Sequence, residues 1–436
     1  MTTIYSARWV LPLSAPPIED AAVAVAAQQI VGVGPRAEIV ARFPQFRVES
    51  FGEAVILPGL VNTHTHLELT ALRGYLEAEE RDFFAWLRKL TVARLERMTP
   101  DDIRVSATWG ACEAARAGIT CVGDASDSAM MSMQALHDVG LRGVVYQESF
   151  GPDVRLVSEN FEKLKNKLQE LRGVETELVR AGVSPHAPYT VCGPQLKLIA
   201  ELATSEKVPL MMHAAESEAE ELLLRDGCGA FAEGLARREI EWQAPGVSTI
   251  QYLKQLGVLD TQPLLAHCIR VDDADIETLR ETGAKVAHCP KSNAKLGHGR
   301  APFAKFIETG IAVGLGSDSV ASNNTCDILE EARFAALLAR AGGGDVGSES
   351  ALRAATFGNA LTEGAQADLA VVSLTGVHQV PNYDPVATLI FASSGRDVIL
   401  TVVAGREVYR DGRVTMVDED RLRARMHEIS KRLRHG

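Results

Sequence analysis

The chain has 436 residues, of which 46% are hydrophobic and 23% charged, and its formal net charge at pH 7 is −12. This composition is typical of a globular protein with a large core and excludes a low-complexity polymer. Acidic groups are repelled by a phosphate backbone, so we predict no nucleic-acid partner. No apolar run is long enough to span a bilayer, so we predict no membrane partner.

The start of the chain and its cysteines predict a cytoplasmic location. The first residues lack the basic start and the continuous apolar core of a secretory signal peptide. The seven cysteines are scattered, mostly flanked by apolar residues, and do not form a CxxC pair. Such cysteines are typical of reduced, buried side chains in a cytoplasmic protein.

Both ends of the chain alternate short β-like segments with turns. Near the C-terminus, AGREVYRDGRV predicts a β-hairpin that turns at Asp411 and Gly412. We predict that residues 1–57 and 366–436 together form a small β-sandwich domain built from both termini. The final segment, DRLRARMHEISKRLRHG, has helical spacing with a basic face and predicts a packing or surface helix.

Residues 58–365 alternate short apolar runs with stretches of helical periodicity. Eight apolar runs occur, and several of the helical stretches between them end in glycine, as helix C-termini commonly do. Eight β/α units in series predict a closed parallel (β/α)8 barrel of the TIM type. The predicted fold is therefore α/β, a barrel with an attached β-sandwich.

A titratable side chain stands where each of the eight apolar runs stops. The carboxyl ends of barrel strands lie on one rim, where the active sites of such barrels are built. Titratable groups at all eight ends therefore predict a functional site at this rim. In chain order they are His64 and His66, Asp124, Glu148, His186, His213 with Glu216, His267, His288 and Asp318.

Three histidines and one aspartate of this set have the donor atoms of a metal centre. His64 and His66 lie two apart on one strand, so both side chains point to the same side. His213 and Asp318 add a nitrogen and an oxygen from other strands. This donor set, with one position open for water, fits a single Zn²⁺, with Fe²⁺ as the alternative. For His64 and His66 alone, a polar strand end that contacts solvent is the alternative explanation.

The remaining groups indicate hydrolysis at such a centre. A bound cation lowers the pKa of its water and makes hydroxide available for attack. Asp318 can accept the proton, Glu216 can protonate a substrate ring nitrogen and then leaving ammonia, and His267 can orient the hydroxide. Two alternatives stay open: His267 is a further metal ligand, or Glu216 only stabilises the start of the next helix.

The segments PGLVNTHTH, MMHAAESEAE, LLAHCIR, HCPKSNAKLGHG and GLGSDSVASNN resemble the amidohydrolase superfamily, specifically its metal-dependent aminohydrolase branch. This branch includes deaminases of S-adenosylhomocysteine, methylthioadenosine, aminofutalosine and guanine, and triazine hydrolases. The likeness extends to ADLAVVSL near the end of the chain. It implies a hydrolase of carbon–nitrogen bonds other than peptide bonds, with the metal ligands and proton-transfer groups described above.

The resemblance also implies six substrate-binding residues, which are His186, Glu148, Glu68, Trp86, His288 and Ser322. His186 matches a histidine that contacts the purine or nucleoside in similar enzymes, and His288 matches a rim histidine. Glu68, Trp86 and Glu148 lie in segments most similar to those of aminofutalosine deaminases. An aromatic residue in a helix is more often part of the core, which is the alternative for Trp86.

The predicted function is hydrolytic deamination of an adenine-type base or nucleoside, with aminodeoxyfutalosine as the specific substrate. S-adenosylhomocysteine, methylthioadenosine, guanine and pterins are alternative substrates, and triazine-type dechlorination is an alternative reaction. A non-catalytic scaffold is an alternative of another class, although such scaffolds typically lose metal ligands that this chain retains. We expect a small-molecule substrate and a homodimer, the commonest oligomer.

Overall fold

The computed structural model describes residues 2–435, which form a mixed α/β fold. The strands are β1 (Thr2–Val10), β2 (Ile18–Ala26), β3 (Gln29–Pro35), β4 (Arg47–Ser50), β5 (Ala54–Pro58), β6 (Leu60–Thr65), β7 (Ile119–Ser126), β8 (Arg142–Ser149), β9 (Val179–Pro185), β10 (Met211–Ala214), β11 (Leu264–His267), β12 (Lys285–His288), β13 (Val313–Leu315), β14 (Leu369–Ser373), β15 (Val398–Val403), β16 (Arg406–Arg410) and β17 (Arg413–Val414).

The α-helices are α1 (Arg36–Arg42), α2 (Phe83–Val92), α3 (Pro100–Arg116), α4 (Ala129–Val139), α5 (Val157–Arg172), α6 (Gly193–Glu206), α7 (Glu218–Asp226), α8 (Gly229–Arg237), α9 (Thr249–Gln255), α10 (Asp273–Thr282), α11 (Pro290–Lys295), α12 (Phe303–Glu308), α13 (Val320–Asn323), α14 (Ile328–Ala341), α15 (Ser348–Ala355), α16 (Pro385–Phe391) and α17 (Glu419–His435). Within residues 2–435, no helix has both the length and the apolar character needed to cross a membrane.

Eight parallel strands form the centre of the fold. β6 to β9 pair in chain order in one four-stranded sheet, and β10 to β13 do the same in a second. Two parallel bridges connect the sheets, from Val183 to Leu210 at one edge and from Thr65 to Asp318 at the other. Helices lie between successive strands. All eight carboxyl ends therefore lie on the same side of the parallel sheets.

The helices between these strands have clear sequence signals at their ends. α3 follows Thr99, whose side chain forms a capping box with Asp102. α4 ends before Gly140 and α7 ends before Gly227. Both glycines have the left-handed backbone conformation that commonly ends a helix, and a residue without a Cβ atom adopts it with the least strain. These signals set where each helix stops and the chain returns to the next strand.

Strands from both ends of the chain share one nine-stranded sheet. Its order is β17-β16-β15-β14-β5-β1-β2-β3, with β4 beside β1. The predicted hairpin is confirmed: β16 and β17 pair antiparallel, and Asp411 and Gly412 between them have left-handed backbones. The strand pairing gives one continuous sheet, so the two-layered sandwich expected from the sequence stays a prediction.

The apolar run before His64 divides into two strands, although the sequence pattern suggests a single one. β5 belongs to the terminal sheet, whereas β6 begins the first parallel sheet. Gly59 lies between them, and a Cβ atom there would stand 2.1 Å from Thr120 Oγ1. Gly59 thus lets the backbone approach β7 closely at the point where the chain passes from the terminal sheet to the first parallel sheet.

The C-terminal helix α17 packs against α3. Arg425 and Arg432 form ion pairs with Asp101 and Asp102 in the first turn of α3. Ile429 and Leu433 are buried in an apolar cluster that also contains Trp86 and Leu72. The basic face expected from the sequence therefore faces acidic groups, and the apolar face belongs to the same buried cluster as Trp86.

Candidate metal centre and active site

A cavity of about 460 Å³ lies at the carboxyl ends of the parallel strands. Residues at or just after the ends of β6, β7, β8, β9, β10 and β13 form one side, and α2 with the turn after it forms much of the other. The lining residues are His66, Glu68, Leu69, Phe83, Trp86, Leu87, Leu90, Thr91, Arg94, Leu95, Asp127, Glu148, Phe150, His186, Tyr189, Thr190, His213, Glu216, Leu296, Asp318 and Ser319.

The four residues expected to hold a metal come together at this cavity. His66 Nε2 and His213 Nε2 are 3.2 Å apart. Asp318 Oδ1 lies 3.5 Å from the Nε2 atoms of both His64 and His66. A second group, His64, His213 and His267, also offers ring nitrogens within 4.8 Å of one another. The five side chains thus have a common focus, contributed by β6, β10, β11 and the loop after β13.

The ring nitrogens at this focus have the protonation pattern that metal ligands require. His213 Nδ1 donates to the carbonyl oxygen of His186 at 2.9 Å, which leaves the lone pair on Nε2. His64 Nε2 is buried and has no hydrogen-bond partner among the described residues. The Nε2 atoms of His66 and His213 face each other beside the Asp318 carboxylate, an arrangement of donor atoms that fits a divalent cation.

Burial favours the neutral imidazoles of His66 and His213. It lowers the pKa of His66 to about 3, with the nearby His64 adding to the effect, and it lowers the pKa of His213 well below its usual value. Burial alone would raise the pKa of Asp318, but its close contact with the imidazoles of His64, His267 and His66 holds that pKa well below 3.8. Neutral imidazoles and an ionised carboxylate are the forms that bind a cation.

Two serines and a backbone amide fix the carboxylate of Asp318. Ser292 Oγ and Ser322 Oγ donate to Oδ2 at 2.6 and 2.9 Å, and the amide of Ser319 donates to Oδ1 at 2.7 Å. Asp318 itself has a φ of +55°, a conformation that non-glycine residues rarely adopt. The hydrogen bonds therefore hold a strained residue with Oδ1 turned towards the histidines.

Glu216 and His267 face each other beside the metal ligands. His267 Nδ1 is 2.8 Å from Asn293 Oδ1, so Nδ1 carries the proton and Nε2 has the lone pair, 3.6 Å from Glu216 Oε1. Tyr189 donates its hydroxyl hydrogen to Glu216 Oε2 at 2.8 Å. Burial and the charge of Glu216 hold the pKa of Tyr189 well above 10, so the hydroxyl remains a donor at neutral pH. His298 Nε2 lies 3.8 Å from Glu216 Oε1.

Four of the six expected substrate-binding residues line the cavity, namely Glu68, Trp86, Glu148 and His186. Ser322 does not line the cavity, and its hydroxyl instead donates a hydrogen bond to Oδ2 of Asp318. His288 is buried against Phe303, and its ring is likewise absent from the cavity wall. These two residues therefore lie outside the cavity in this structure.

Several residues at the site were not anticipated from the sequence. Tyr189, Asn293 and His298 lie in the segments SPHAPY, PKSN and LGHG, so a search for polar partners beside each strand-end residue could have found them. Arg94 lies in the π-helical turn Ala93–Arg97 that follows α2, and it carries no comparable sequence signal. It forms ion pairs across the fold with Glu68 and Asp127, which only the tertiary structure brings together.

Comparison with known proteins identifies the family to which this chain belongs. Residues 55–408 match the sequence profile of the Amidohydrolase family. The chain is 32% identical over 428 residues to the 5-methylthioadenosine/S-adenosylhomocysteine deaminase of Pelotomaculum thermopropionicum, covering 95% of this chain and 94% of the relative. It is also 32% identical over 394 residues to the 5′-deoxyadenosine deaminase of Methanopyrus kandleri, covering 87% of this chain and 86% of the relative.

A solved structure has the same fold over the whole chain. The zinc-bound adenosine deaminase of Xanthomonas campestris superposes with a TM-score of 0.86 at 27% sequence identity, covering 100% of this chain and 99% of that one. The family match spans most of the chain and includes every residue of the candidate site. This protein therefore belongs to the amidohydrolase family and is a hydrolase.

Proposed function

We propose that this protein is a metal-dependent hydrolytic deaminase of an adenine-type base or nucleoside and that it releases ammonia. The observation that carries the proposal is the common focus of the free Nε2 atoms and Asp318 Oδ1, with Glu216 beside it in a closed-in cavity. The similar proteins are named as deaminases of methylthioadenosine and S-adenosylhomocysteine, of 5′-deoxyadenosine and of adenosine, which agrees with this chemistry. The substrate is a small molecule that a cavity of about 460 Å³ can hold.

One divalent cation completes the site. His64, His66, His213 and Asp318 would hold it, and a bound cation supplies an activated water at neutral pH. Zinc is the proposed ion, because nitrogen-rich sites of low coordination number suit it and the similar Xanthomonas structure contains zinc; iron is the alternative. His267 Nε2 is close enough to this focus to contact either the cation or the water.

The protein groups then divide the proton transfers. Asp318 accepts the proton of the attacking water, since its carboxylate is ionised and aimed at the focus. Glu216, held by Tyr189, delivers its proton to a ring nitrogen, and the proton that Asp318 accepted from the water then passes by way of Glu216 to the leaving amine. His267 orients the water through Nε2, because Asn293 fixes its other nitrogen. Glu148, Glu68, Trp86 and His186 form the surrounding substrate pocket.

The fold is proposed to be a closed (β/α)8 barrel with a β-sandwich from both termini, divided at residues 1–57, 58–365 and 366–436. Bridges between the two parallel sheets at both edges support the closed barrel. A single apolar cluster containing residues of β1, β2, β5, β14 and β15 supports a sheet folded over its own core. We also propose a homodimer, because dimers are the commonest oligomers, and a cytoplasmic location, because the scattered cysteines are typical of reduced proteins.

Removal of either the cation or Glu216 tests the function. We expect zinc-loaded protein to release ammonia from at least one of adenosine, methylthioadenosine, S-adenosylhomocysteine, aminodeoxyfutalosine, guanine or a pterin. Chelation should abolish the release, and Glu216→Gln should lower kcat about a hundredfold or more while zinc content stays unchanged. Glu218→Gln, an exposed carboxylate two residues further along, should have no effect.

Three outcomes would contradict the proposal. Full turnover by Glu216→Gln would remove its proton-transfer role. Chloride release from chlorotriazines, without ammonia release from any purine, would favour dechlorination. Near-zero metal content after expression with ample zinc would favour a non-catalytic scaffold.

A further inference from the structure

The peptide group between Ser317 and Asp318 is held by hydrogen bonds at both of its polar atoms. Its amide, on Asp318, donates to the carbonyl oxygen of His64 at 2.9 Å. Its carbonyl oxygen, on Ser317, accepts a hydrogen bond from Nδ2 of Asn323 at 2.6 Å. The orientation of this peptide sets the φ of Asp318, which has the unfavourable value of +55°. Asn323 therefore acts directly on the backbone that aims the Asp318 carboxylate.

The side-chain amide of Asn323 uses its second hydrogen to bind Glu331. Nδ2 of Asn323 lies 2.6 Å from Oε1 of Glu331, in addition to its contact with Ser317. A backbone carbonyl oxygen accepts but never donates, so the atom that faces Ser317 must be the amide nitrogen of the side chain. Asn323 is buried, so the loss of its two donors would leave buried acceptors without a partner.

Glu331 anchors Asn323 to α14. The residue is fully buried, and its Oε2 accepts a hydrogen bond from the backbone amide of Lys291 at 3.2 Å. Burial raises the pKa of Glu331 to about 8. A neutral carboxyl group keeps an acceptor on the oxygen without the proton, so Oε1 accepts from Asn323 in the ionised form and also in a form protonated at Oε2. This contact therefore does not depend on the charge of Glu331.

The same carboxyl group also holds α11 through the amide of Lys291, and Ser292 of that helix donates to Oδ2 of Asp318. We infer that Asn323 is a positioning residue for Asp318, anchored by Glu331, and that the pair keeps the Asp318 carboxylate aimed at the proposed cation. The inference rests on the proposed function, because it assigns these residues to the metal site on which that function depends.

Asn323→Leu tests the inference, since it removes both donors and keeps a side chain of similar size. We expect the Kd for zinc, measured by competition with a chelator of known affinity, to rise about tenfold or more, because residues that hold a metal ligand typically have effects of this size. In zinc-saturated protein kcat for ammonia release should also fall about tenfold, with KM changed less. Asn382→Leu, which removes a side-chain amide bound to Thr388 outside the cavity, is the matched control and should leave the Kd for zinc unchanged.

A double substitution separates positioning from stability. When Asn323→Asp is combined with Glu331→Gln, the new amide at position 331 can donate to the new carboxylate at position 323, and the number of carboxyl groups stays the same. The contact between α13 and α14 is then restored in the reverse direction, but no donor faces the carbonyl oxygen of Ser317. In denaturant unfolding of the metal-free protein, we expect the double variant to be more stable than Asn323→Asp alone. Its Kd for zinc should remain about tenfold or more above that of the unmodified protein.

Two outcomes would overturn the inference. One is an unchanged Kd for zinc in Asn323→Leu, and the other is a Kd that recovers together with stability in the double variant. The double variant decides by the same measurement if Asn323→Leu does not fold. Zinc binding needs no substrate, so weaker binding by these variants of a protein that deaminates none of the candidate substrates would support the inference and contradict the proposed function.

Discussion

Glu220 fixes the backbone on which Glu216 depends. It is fully buried, and its carboxylate accepts hydrogen bonds from the amides of Ala215 and Glu216 and from Thr249 Oγ1, at 2.8 to 2.9 Å. Ala215 has a φ of +52°, so this short loop is held in a conformation that alanine seldom adopts. Glu220 is therefore a positioning residue for Glu216, without contact with the substrate pocket.

We expect Glu220→Ala to lower kcat about tenfold to a hundredfold, because a displaced proton donor reacts poorly. The loss of the two carboxyl oxygens that accept these three hydrogen bonds should also lower the free energy of unfolding by about 1–3 kcal/mol. Steady-state kinetics should show kcat affected more than KM, with zinc content unchanged. Glu220→Gln, which keeps one acceptor, should recover part of kcat.

Glu221→Ala is the matched control, since this neighbouring carboxylate is on the same helix and pairs with Arg225 at the surface. Unchanged kcat in Glu220→Ala, accompanied by lower stability alone, would show a purely structural role.

The sequence identified the side chains that meet at the proposed metal site better than the residues that hold them in place. Three histidines and Asp318 are recognisable because each ends an apolar run, and strand ends of one barrel must share a rim. Tyr189 and Asn293 act through side-chain hydrogen bonds to groups 27 and 26 residues away, and periodicity carries no information about such pairs. Placing Ser322 behind Asp318 likewise required the tertiary structure.

At the scale of elements, α17 connects the C-terminal segment to the wall of the cavity. Helical spacing in the sequence predicted this helix, but not the surface on which it packs. Ile429 and Leu433 lie in the same apolar cluster as Trp86. Trp86 lines the cavity from α2, so the packing of α17 supports the position of an expected substrate-binding residue.

We expect Ile429→Ala to lower the free energy of unfolding by about 2–5 kcal/mol, since it removes a buried side chain from this cluster. KM should rise severalfold because α2 loses support beneath Trp86, while zinc content should not change. Denaturant unfolding and steady-state kinetics measure these effects. Lys431→Ala, on the exposed face of α17, should change stability by less than about 0.5 kcal/mol. Equal effects of the two substitutions would contradict this packing role.

At the scale of the whole molecule, the alternation of apolar runs and helical stretches predicted an α/β fold with parallel strands. The segment AVILPGLVNTHTH has the pattern of one apolar run but forms both β5 and β6, because both parts are continuously buried and Gly59 alone lies between them. A strand that is buried on both faces lacks the alternation of apolar and polar residues by which a strand is recognised in a sequence. The nine-stranded terminal sheet also depends on pairing between residues more than 300 positions apart, such as Leu369 with Pro58.

The proposed metal site joins distant parts of the molecule and should therefore contribute to global stability. Its ligands come from β6 and β10, in different parallel sheets, and from the loop after β13. A cation that binds only the folded state stabilises it by about 4 kcal/mol when free metal exceeds Kd a thousandfold. We expect zinc to raise Tm by several degrees and chelation to reverse the change. His213→Ala should abolish the zinc-dependent rise, whereas His378→Ala, at an exposed histidine paired with Asp397, should retain it. An equal rise in both variants would show that zinc stabilises the protein from another site.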